Sequence, residues 1–260
     1  GGSLDTRDAV PGSPAADCGD EPWALDARWP LDLVNDYPAL AAPVSAAGFA
    51  YACLQGVPVR QGSDLLAIKR SASEASLRDG NVSDSAPDGS ARHWYLRLAV
   101  GEAPFWERLS GADLWTRAIT DSMASYWTAV SRIVFIRAYS VSPAVDTIPT
   151  LGIKTLAGES LTTRCLVEGV ENLQLEVGTD TDGDGAVDRY LMAPGPAALA
   201  AASSVRLHLL LRSIDPVPGY RDRKTYRLGA TAQGPMGDGY MRQVMSATVA
   251  LRNHPAAVLP

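Results

Sequence analysis

Apolar and polar residues alternate with a period of two over much of the chain. The segments "SRIVFIRAYSV" (131–141) and "LTTRCLVEG" (161–169) are rich in β-branched residues, and "MRQVMSATVALRN" (241–253) places Val249 and Leu251 on one face. Such alternation is typical of half-buried strands. Similar runs, separated by turn residues, occur at 63–71, 93–100, 148–156, 204–214 and 224–229. The pattern predicts an α+β fold that is mainly antiparallel β.

Helical periodicity is weaker and more local. In "GADLWTRAITDSMASYW" (111–127), Leu114, Ile119 and Met123 have a loose helical spacing, although the segment could equally be irregular. "PAALAAASS" (196–204) is Ala-rich and predicts a short helix. We therefore expect few helices among many strands.

The chain divides by composition into a leader and a globular part. Residues 1–20 are polar and rich in Pro and Gly, and they open with Gly-Gly-Ser, which is typical of residual expression-tag sequence. Residues 21–260 are expected to form one globular domain. Within it, residues 73–92 are polar and full of turn residues, so they predict a long loop.

Composition narrows the class of protein. Hydrophobic residues make up 46% of the 260 residues, which is enough for a substantial core. With a net charge of −6, the chain lacks the excess of positive charge that is typical of nucleic-acid-binding proteins. No apolar run reaches the length of a membrane span, which is about 18 residues or more.

Three cysteines are present, without the C-x-x-C spacing of a zinc site. Cys18 lies in the leader, which has little else to anchor it, so a Cys18–Cys53 disulfide is the preferred pairing. Closing that loop stabilises a fold by about 3 to 4 kcal/mol on the chain-entropy estimate. Three reduced cysteines are the alternative, and Cys165 fits a core position.

Motifs of the common enzyme classes are absent from the sequence. There is no G-x-S-x-G elbow, no phosphate-binding G-x-x-x-x-G-K-[ST] loop and no H-E-x-x-H helix. The Gly-rich stretch 233–240 predicts a turn between strands, and His208, flanked by leucines, predicts a structural histidine. We expect a protein that is not an enzyme.

The segment "TDTDGDGAVDRY" (179–190) concentrates negative charge in a few positions. Calcium loops of the EF-hand type place oxygen ligands at positions 1, 3, 5, 7 and 9, with Gly at position 6. The register here predicts calcium ligands at Asp180, Asp182, Asp184, the Ala186 carbonyl and Asp188, with Gly185 at the turn. Position 12 is Leu191, so one strong ligand is missing and a weak site is expected. The alternative is an Asx-rich hairpin without metal.

Several stretches, taken in order, resemble the C-terminal half of the PilW family of type IV pilus minor pilins, also described as pilus assembly proteins. They are "CLVEGVENLQLEVGTDTDGDGAVDRY", "SSVRLHLLLRS", "KTYRLG" and "DGYMRQVMSATVALRN". Looser similarity extends the resemblance to roughly residues 45–252. The combination is specific, although each piece alone is weak.

The resemblance implies a type IV pilin-like globular domain, similar to J-type pseudopilins, with the N-terminal helix truncated. It implies a structural, non-catalytic role: priming pilus assembly and sitting at the pilus tip, with links to twitching motility and adhesion. The implied partners are other minor pilins of the PilV, PilX, FimU and PilE types, and a PilY-type tip adhesin. The implied location is the inner membrane and periplasm before assembly and the extracellular pilus tip afterwards.

Two alternatives remain open at this stage. A J-type pseudopilin of type II secretion would share the fold and differ in its partners. A calcium-dependent adhesive or carbohydrate-binding module is suggested by six tryptophans and nine tyrosines. Exposed aromatic residues on one face would favour that module.

Overall fold

A computed structural model describes residues 18, 21–26, 28–39, 43–54, 56–158 and 160–251. The expected leader at residues 1–20 therefore lies outside the described residues, apart from Cys18. Within the described residues, no helix is long and apolar enough to cross a membrane.

The described residues form many strands and few helices. The helices are α1 (Glu21–Leu25), α2 (Gly111–Thr120) and α3 (Pro196–Ala200), with a 3₁₀ turn at Ala52–Leu54. The first strands are β1 (Leu31–Val34), β2 (Leu65–Ser71), β3 (Leu77–Arg78), β4 (Asn81–Val82), β5 (His93–Leu98), β6 (Phe105–Leu109), β7 (Ser125–Arg137) and β8 (Thr150–Ala157). The remaining strands are β9 (Ser160–Glu168), β10 (Val170–Thr179), β11 (Arg189–Leu191), β12 (Ala202–Arg212), β13 (Tyr226–Leu228), β14 (Thr231–Gln233) and β15 (Arg242–Ala250).

These strands belong to three sheets. The nine-stranded sheet has the order β1-β2-β7-β3-β4, with β5 paired to β6 and β7, and β8 paired to β7 and β9. The four-stranded sheet has the order β11-β10-β12-β15, and β13 and β14 form a separate pair. Every strand pair whose register is given is antiparallel. The expected α+β fold, mainly antiparallel β, is therefore confirmed at this coarse level.

The described part of the chain divides into two compact units. The single domain over 21–260 stays a prediction. The first unit comprises residues 1–30, 68–132 and 154–162, and the second comprises residues 31–67, 133–153 and 163–260. Each unit combines segments that are distant in the sequence, which is why composition along the chain gives no sign of the division.

The first unit has its own apolar core around α2. Ser110 caps this helix, because its hydroxyl accepts the Asp113 N–H while the Asp113 carboxylate accepts the Ser110 N–H. Residues of α2, β3, β5, β6, β7 and nearby turns are buried together: Leu77, Ala86, Tyr95, Leu109, Leu114, Ala118, Ala124 and Tyr126. Segment 111–127 is thus a helix followed by the start of a strand, which resolves the ambiguity of its pattern.

The predicted loop at 73–92 contains the short antiparallel pair β3 and β4. Leu77 is completely buried, and it pairs in register with Tyr126 of β7. Two large apolar side chains, Leu77 and Val82, give too little periodic signal in a polar segment to predict a strand. Both nevertheless pack at the core of the first unit and anchor the short strand pair there.

The second unit contains the four-stranded sheet. Strand β10 pairs with β12 over almost its whole length, with register shifts between Val170 and Asn172 and between Gly178 and Thr179. Strand β12 pairs with β15 from Arg212↔Arg242 to Ser204↔Ala250. The β13–β14 hairpin contributes to a small core over this sheet: Leu210, Tyr226 and Leu228, with Met236 and Val244 packed against them.

Candidate functional site

The aspartate loop, residues 180–188, connects β10 to β11 in the second unit. The hairpin register pairs Val177 with Leu191 and Thr179 with Arg189, so the loop lies directly beyond the last paired residues. The Asp188 N–H also donates to the Thr179 carbonyl at 2.9 Å, which closes the base of the loop. Leu191, at the twelfth position of the predicted calcium register, is part of β11.

Hydrogen bonds from backbone N–H groups fold the loop around Asp180. Its two carboxylate oxygens accept the Gly183 N–H at 2.7 Å and the Gly185 N–H at 2.9 Å. Both glycines have a positive φ, at 81° and 87°, a conformation that favours glycine. The position of Gly185 in the predicted register thus coincides with a turn that needs it.

Three of the four aspartates converge. One carboxylate oxygen from each of Asp180, Asp182 and Asp188 lies within 4.8 Å of the other two. The Asp184 carboxylate is not in this group, and it accepts the Ala186 N–H at 2.7 Å. The predicted ligand set therefore divides into a converging trio and a carboxylate that points into its own turn.

The charges of the loop are partly balanced by hydrogen bonds. The hydroxyl and the backbone N–H of Thr181 both donate to Asp188, and these bonds hold the pKa of that carboxyl below its usual value. Asp182 and Asp188 are exposed and Asp180 is half-buried. Three carboxylates with converging oxygens can accept a hard cation.

Strand β10 carries a second polar feature that the sequence analysis missed. Its Glu171, Asn172 and Gln174 are only 2% to 3% exposed, although polar positions of an alternating strand normally face water. The Asn172 and Gln174 amides both donate to the Gly62 carbonyl, at 3.0 and 2.9 Å. A segment more than 100 residues away in sequence, residues 60–64, thus satisfies these polar side chains.

Ser63 and Asp64 extend this contact along β10. The Ser63 hydroxyl accepts the Leu173 N–H at 3.1 Å, and the Asp64 N–H donates to the Leu173 carbonyl at 2.8 Å. The buried Asp64 carboxylate accepts two backbone N–H groups, from Leu175 at 2.6 Å and Asp36 at 2.9 Å. We refer to residues 60–64 bound along residues 171–175 as the β10 clasp.

Burial has a measurable consequence for Asp64. Loss of solvation raises its pKa to about 7, and the two backbone hydrogen bonds offset only part of that rise. Asp64 is completely buried, so no solvent reaches the carboxyl to favour its ionised form.

Arg242, at the start of β15, forms the centre of a buried ion cluster. Its guanidinium contacts Asp222 at 2.9 Å and forms a bidentate pair with Asp238 at 2.6 and 2.7 Å. It also bonds Glu171, which in turn pairs with Arg60 of the β10 clasp at 3.0 Å. The side chain of Arg242 is only 1% exposed, and those of Glu171 and Asp222 are 4% and 0% exposed. The cluster therefore joins β10 and β15 to Asp222, which precedes β13, and to Asp238, which precedes β15.

His208 has both of its ring nitrogens in hydrogen-bonding contacts. Nδ1 lies 2.7 Å from the Ser246 hydroxyl, and Nε2 lies 3.2 Å from the Glu176 carboxylate, which also pairs with Arg206. The three side chains come from neighbouring strands β10, β12 and β15. This row of contacts is consistent with the predicted structural histidine.

The cysteines occupy two chemical states. Cys18 and Cys53 are each disulfide-bonded, while Cys165 is free and exposed. Cys165 was expected in the core, but its strand β9 is exposed along most of its length. The alternation of β9 therefore indicated a strand correctly and its burial incorrectly.

Comparison with known proteins gives one match. The family model described as Type IV Pilus-assembly protein W matches residues 138–253. No curated protein and no solved structure matches the chain. The matched residues include the aspartate loop, β10 with the Glu171 side of the ion cluster, and β15. The match supports assignment of residues 138–253 to the PilW family of type IV pilus-assembly proteins.

Proposed function

We propose that this protein is a minor pilin that helps to prime type IV pilus assembly and remains in a minor-pilin complex at the pilus tip. The observation that carries the proposal is the family match over residues 138–253. Its partners are other minor pilins of the PilV, PilX, FimU and PilE types, and a PilY-type tip adhesin. Its location is the inner membrane and periplasm before assembly and the pilus tip afterwards.

The contacts within the second unit agree with a structural role. The polar side chains that most resemble catalytic groups are engaged in holding strands together: Glu171 by two arginines, and His208 by Ser246 and Glu176. Such satisfied networks make a unit rigid and fix one arrangement of its strands. A subunit that carries force in a filament benefits from that rigidity.

The adhesive, carbohydrate-binding alternative receives less support. Sugar-binding modules need a set of accessible aromatic faces. Trp115 is 60% exposed, but Arg206 covers the ring of Tyr190 at 3.7 Å and Arg212 covers that of Tyr240 at 4.1 Å. The J-type pseudopilin of type II secretion remains the nearest competing function, because it would share the fold and differ in its partners.

Deletion of the gene in its native host tests the proposal. We expect loss of surface pili and of twitching, both restored by the wild-type gene, with type II secretion unaffected. Purified protein mixed with soluble domains of the host's minor pilins should form a heteromeric complex in light scattering. Normal piliation after deletion, together with no such complex, would refute the assembly role, and a selective secretion defect would favour the pseudopilin.

We propose further that the aspartate loop binds one calcium ion through Asp180, Asp182 and Asp188. The support is the convergence of their carboxylate oxygens within 4.8 Å and the agreement with the first, third and ninth positions of a calcium loop. Asp184 and the Ala186 carbonyl complete the ligand set that the sequence predicts. Because no carboxylate occupies the twelfth position, we expect an affinity of about 10⁻⁴ to 10⁻³ M, the range of extracellular modules.

Thermal unfolding with and without calcium tests this site. For a dissociation constant of about 0.1 mM, about 1 mM calcium stabilises the folded state by about 1.4 kcal/mol, and the melting temperature rises accordingly. Asp182→Asn should abolish the rise, whereas Asp215→Asn, which changes an exposed carboxylate outside the loop, should leave it intact. Asp184→Asn shows whether Asp184 also binds the ion, because this substitution abolishes the rise in melting temperature only if Asp184 is a ligand. Equal melting temperatures of the wild type in calcium and in chelator would refute the calcium site.

A further inference from the structure

Strand β15 forms an edge of the four-stranded sheet. Among the described residues, it pairs with β12 on one side and with no strand on the other. The pairing with β12 continues over nine residues without a register shift, in contrast to the β10–β12 pair. An edge of this kind presents a regular row of backbone N–H and C=O groups that no strand in the same sheet satisfies.

The side chains of the β15 edge have none of the features that prevent an edge strand from pairing with another strand. Natural edge strands are protected by charges, Pro, bulges or short length. Residues 243–250, "QVMSATVA", contain no charged residue, no Pro and no Gly, and they are exposed except for the partly buried Val244. Met245 and Val249 are 54% and 50% exposed on the same face of the strand.

Three other edge strands in the described part of the structure carry such protection. The opposite edge of the same sheet, β11, has three residues and begins with Arg189. In the nine-stranded sheet, β6 carries adjacent Glu107 and Arg108, and β9 carries Arg164 and Glu168. Each of these three edges is short or carries charged side chains, and residues 243–250 have neither kind of protection.

We propose that residues 243–250, the β15 edge, bind an extended, uncharged β-strand of another pilus-assembly subunit as a fifth strand of the sheet. Backbone hydrogen bonds supply the affinity of such strand addition, and alternate side chains supply specificity. Here the partner strand places small or apolar side chains against Met245 and Val249. The unpaired backbone N–H and C=O groups of the β15 edge are complementary to the backbone of another strand. The expected binding partner is therefore an extended segment.

The occupant is a different subunit and not a second copy paired through the same edge. Two copies joined edge to edge through β15 would form a closed twofold dimer, whereas subunits of a filament make contacts between unlike surfaces. This step rests on the proposed assembly function, because it takes the partner to be a pilus subunit.

Two double variants, the edge variant and the control, test the proposed strand addition. In the first variant, Met245→Lys and Val249→Lys place charges on the edge, as protected edge strands do. In the control, Met123→Lys and Val100→Lys make the same changes at residues of the first unit that are 88% and 100% exposed. Melting temperatures of both variants should stay close to that of the wild type, because all four side chains are at least half exposed.

The probe is the set of purified soluble domains of the host's other pilus-assembly proteins, titrated against the wild type and both variants. We expect the edge variant to bind at least about tenfold more weakly and the control to bind like the wild type. Hydrogen–deuterium exchange of the wild-type complex is a second, independent test that needs no substitution. Those amides of residues 243–250 that point away from β12 should exchange rapidly in the isolated protein and become protected in the complex.

The outcomes separate this inference from the assembly role. A complex in which protection appears away from β15, or in which both variants bind equally, overturns the strand addition and leaves the assembly role standing. Protection of the outer edge amides already in the isolated protein also overturns it. Failure of every domain to bind, with normal piliation after gene deletion, overturns the assembly role and the strand addition together.

Discussion

Replacing Arg242 by Met should destabilise the protein strongly, because it removes the central cation of a buried ion cluster. Arg242→Met leaves Glu171 and Asp222, 4% and 0% exposed, without their arginine partner. Removing one partner of a buried pair costs about 3 to 5 kcal/mol, since an uncompensated charge stays behind.

The remaining contacts place the expected cost near the lower limit of that range. After the substitution, Glu171 still pairs with Arg60 at 3.0 Å. Asp222 still accepts the Tyr226 hydroxyl at 3.0 Å and the Lys224 N–H at 3.1 Å. We therefore expect a loss of about 3 kcal/mol in the free energy of unfolding at pH 7.

The loss should depend on pH. Hydrogen bonds from Arg242 lower the pKa of Asp238 to about 2. Burial alone would raise the pKa of Asp222, but bonds from Lys224, Arg242 and Tyr226 hold it below its usual value. Because both folded-state pKa values are depressed, the stability they represent is present above the unfolded value of about 4 and is lost as the pH falls towards 2. The difference between wild type and variant should shrink accordingly from pH 5 to pH 3.

Urea unfolding followed by circular dichroism at pH 7, 5 and 3 measures these quantities. Arg227→Met, at an exposed position of β13, is the matched control and should change the free energy of unfolding by less than about 0.5 kcal/mol. A loss below about 1 kcal/mol for Arg242→Met at pH 7, or a loss that stays constant down to pH 3, would show that the cluster does not stabilise the fold in this way.

Two further predictions concern other buried groups. The Asp64 carboxyl should titrate near pH 7 in a carbon-13 NMR titration, because burial raises its pKa to about 7, and its contribution to stability should be present below pH 4 and lost as the pH rises through 7; a midpoint near 4 would contradict this. Replacing Cys18 and Cys53 by Ser should lower the free energy of unfolding by about 3 to 4 kcal/mol, whereas Cys165→Ser, at the free and exposed cysteine, should change it little. Equal unfolding midpoints for the two variants would show that the disulfide contributes no stability.

Local patterns in the sequence determined the secondary structure of the second half of the chain. The pattern at 204–214 predicts a strand, and β12 spans Ala202–Arg212; the pattern at 241–253 predicts another, and β15 spans Arg242–Ala250. The helix at 196–200 and the turn at 233–240 also lie within the predicted segments. These features depend on neighbours within a few residues, so their signal is present in the local sequence.

The aspartate loop shows that the spacing of residues in the sequence does not specify which carboxylates converge. The sequence placed Asp180, Asp182, Asp184 and Asp188 in one ligand set, and the structure brings the oxygens of three of them together. Which carboxylates converge depends on backbone hydrogen bonds inside the loop, such as that from the Ala186 N–H to Asp184. The spacing of acidic residues does not specify those bonds.

Long-range contacts, which the local sequence does not contain, set which polar residues are buried and which strand is an edge. Glu171, Asn172 and Gln174 are buried because residues 60–64 and Arg242 reach them from 70 or more positions away in sequence. Alternation predicts that β15 is a strand, but it cannot tell whether a partner covers both of its sides. Val249 is half exposed because β15 is the last strand of its sheet, and strand order is a property of long-range pairing that no local pattern contains.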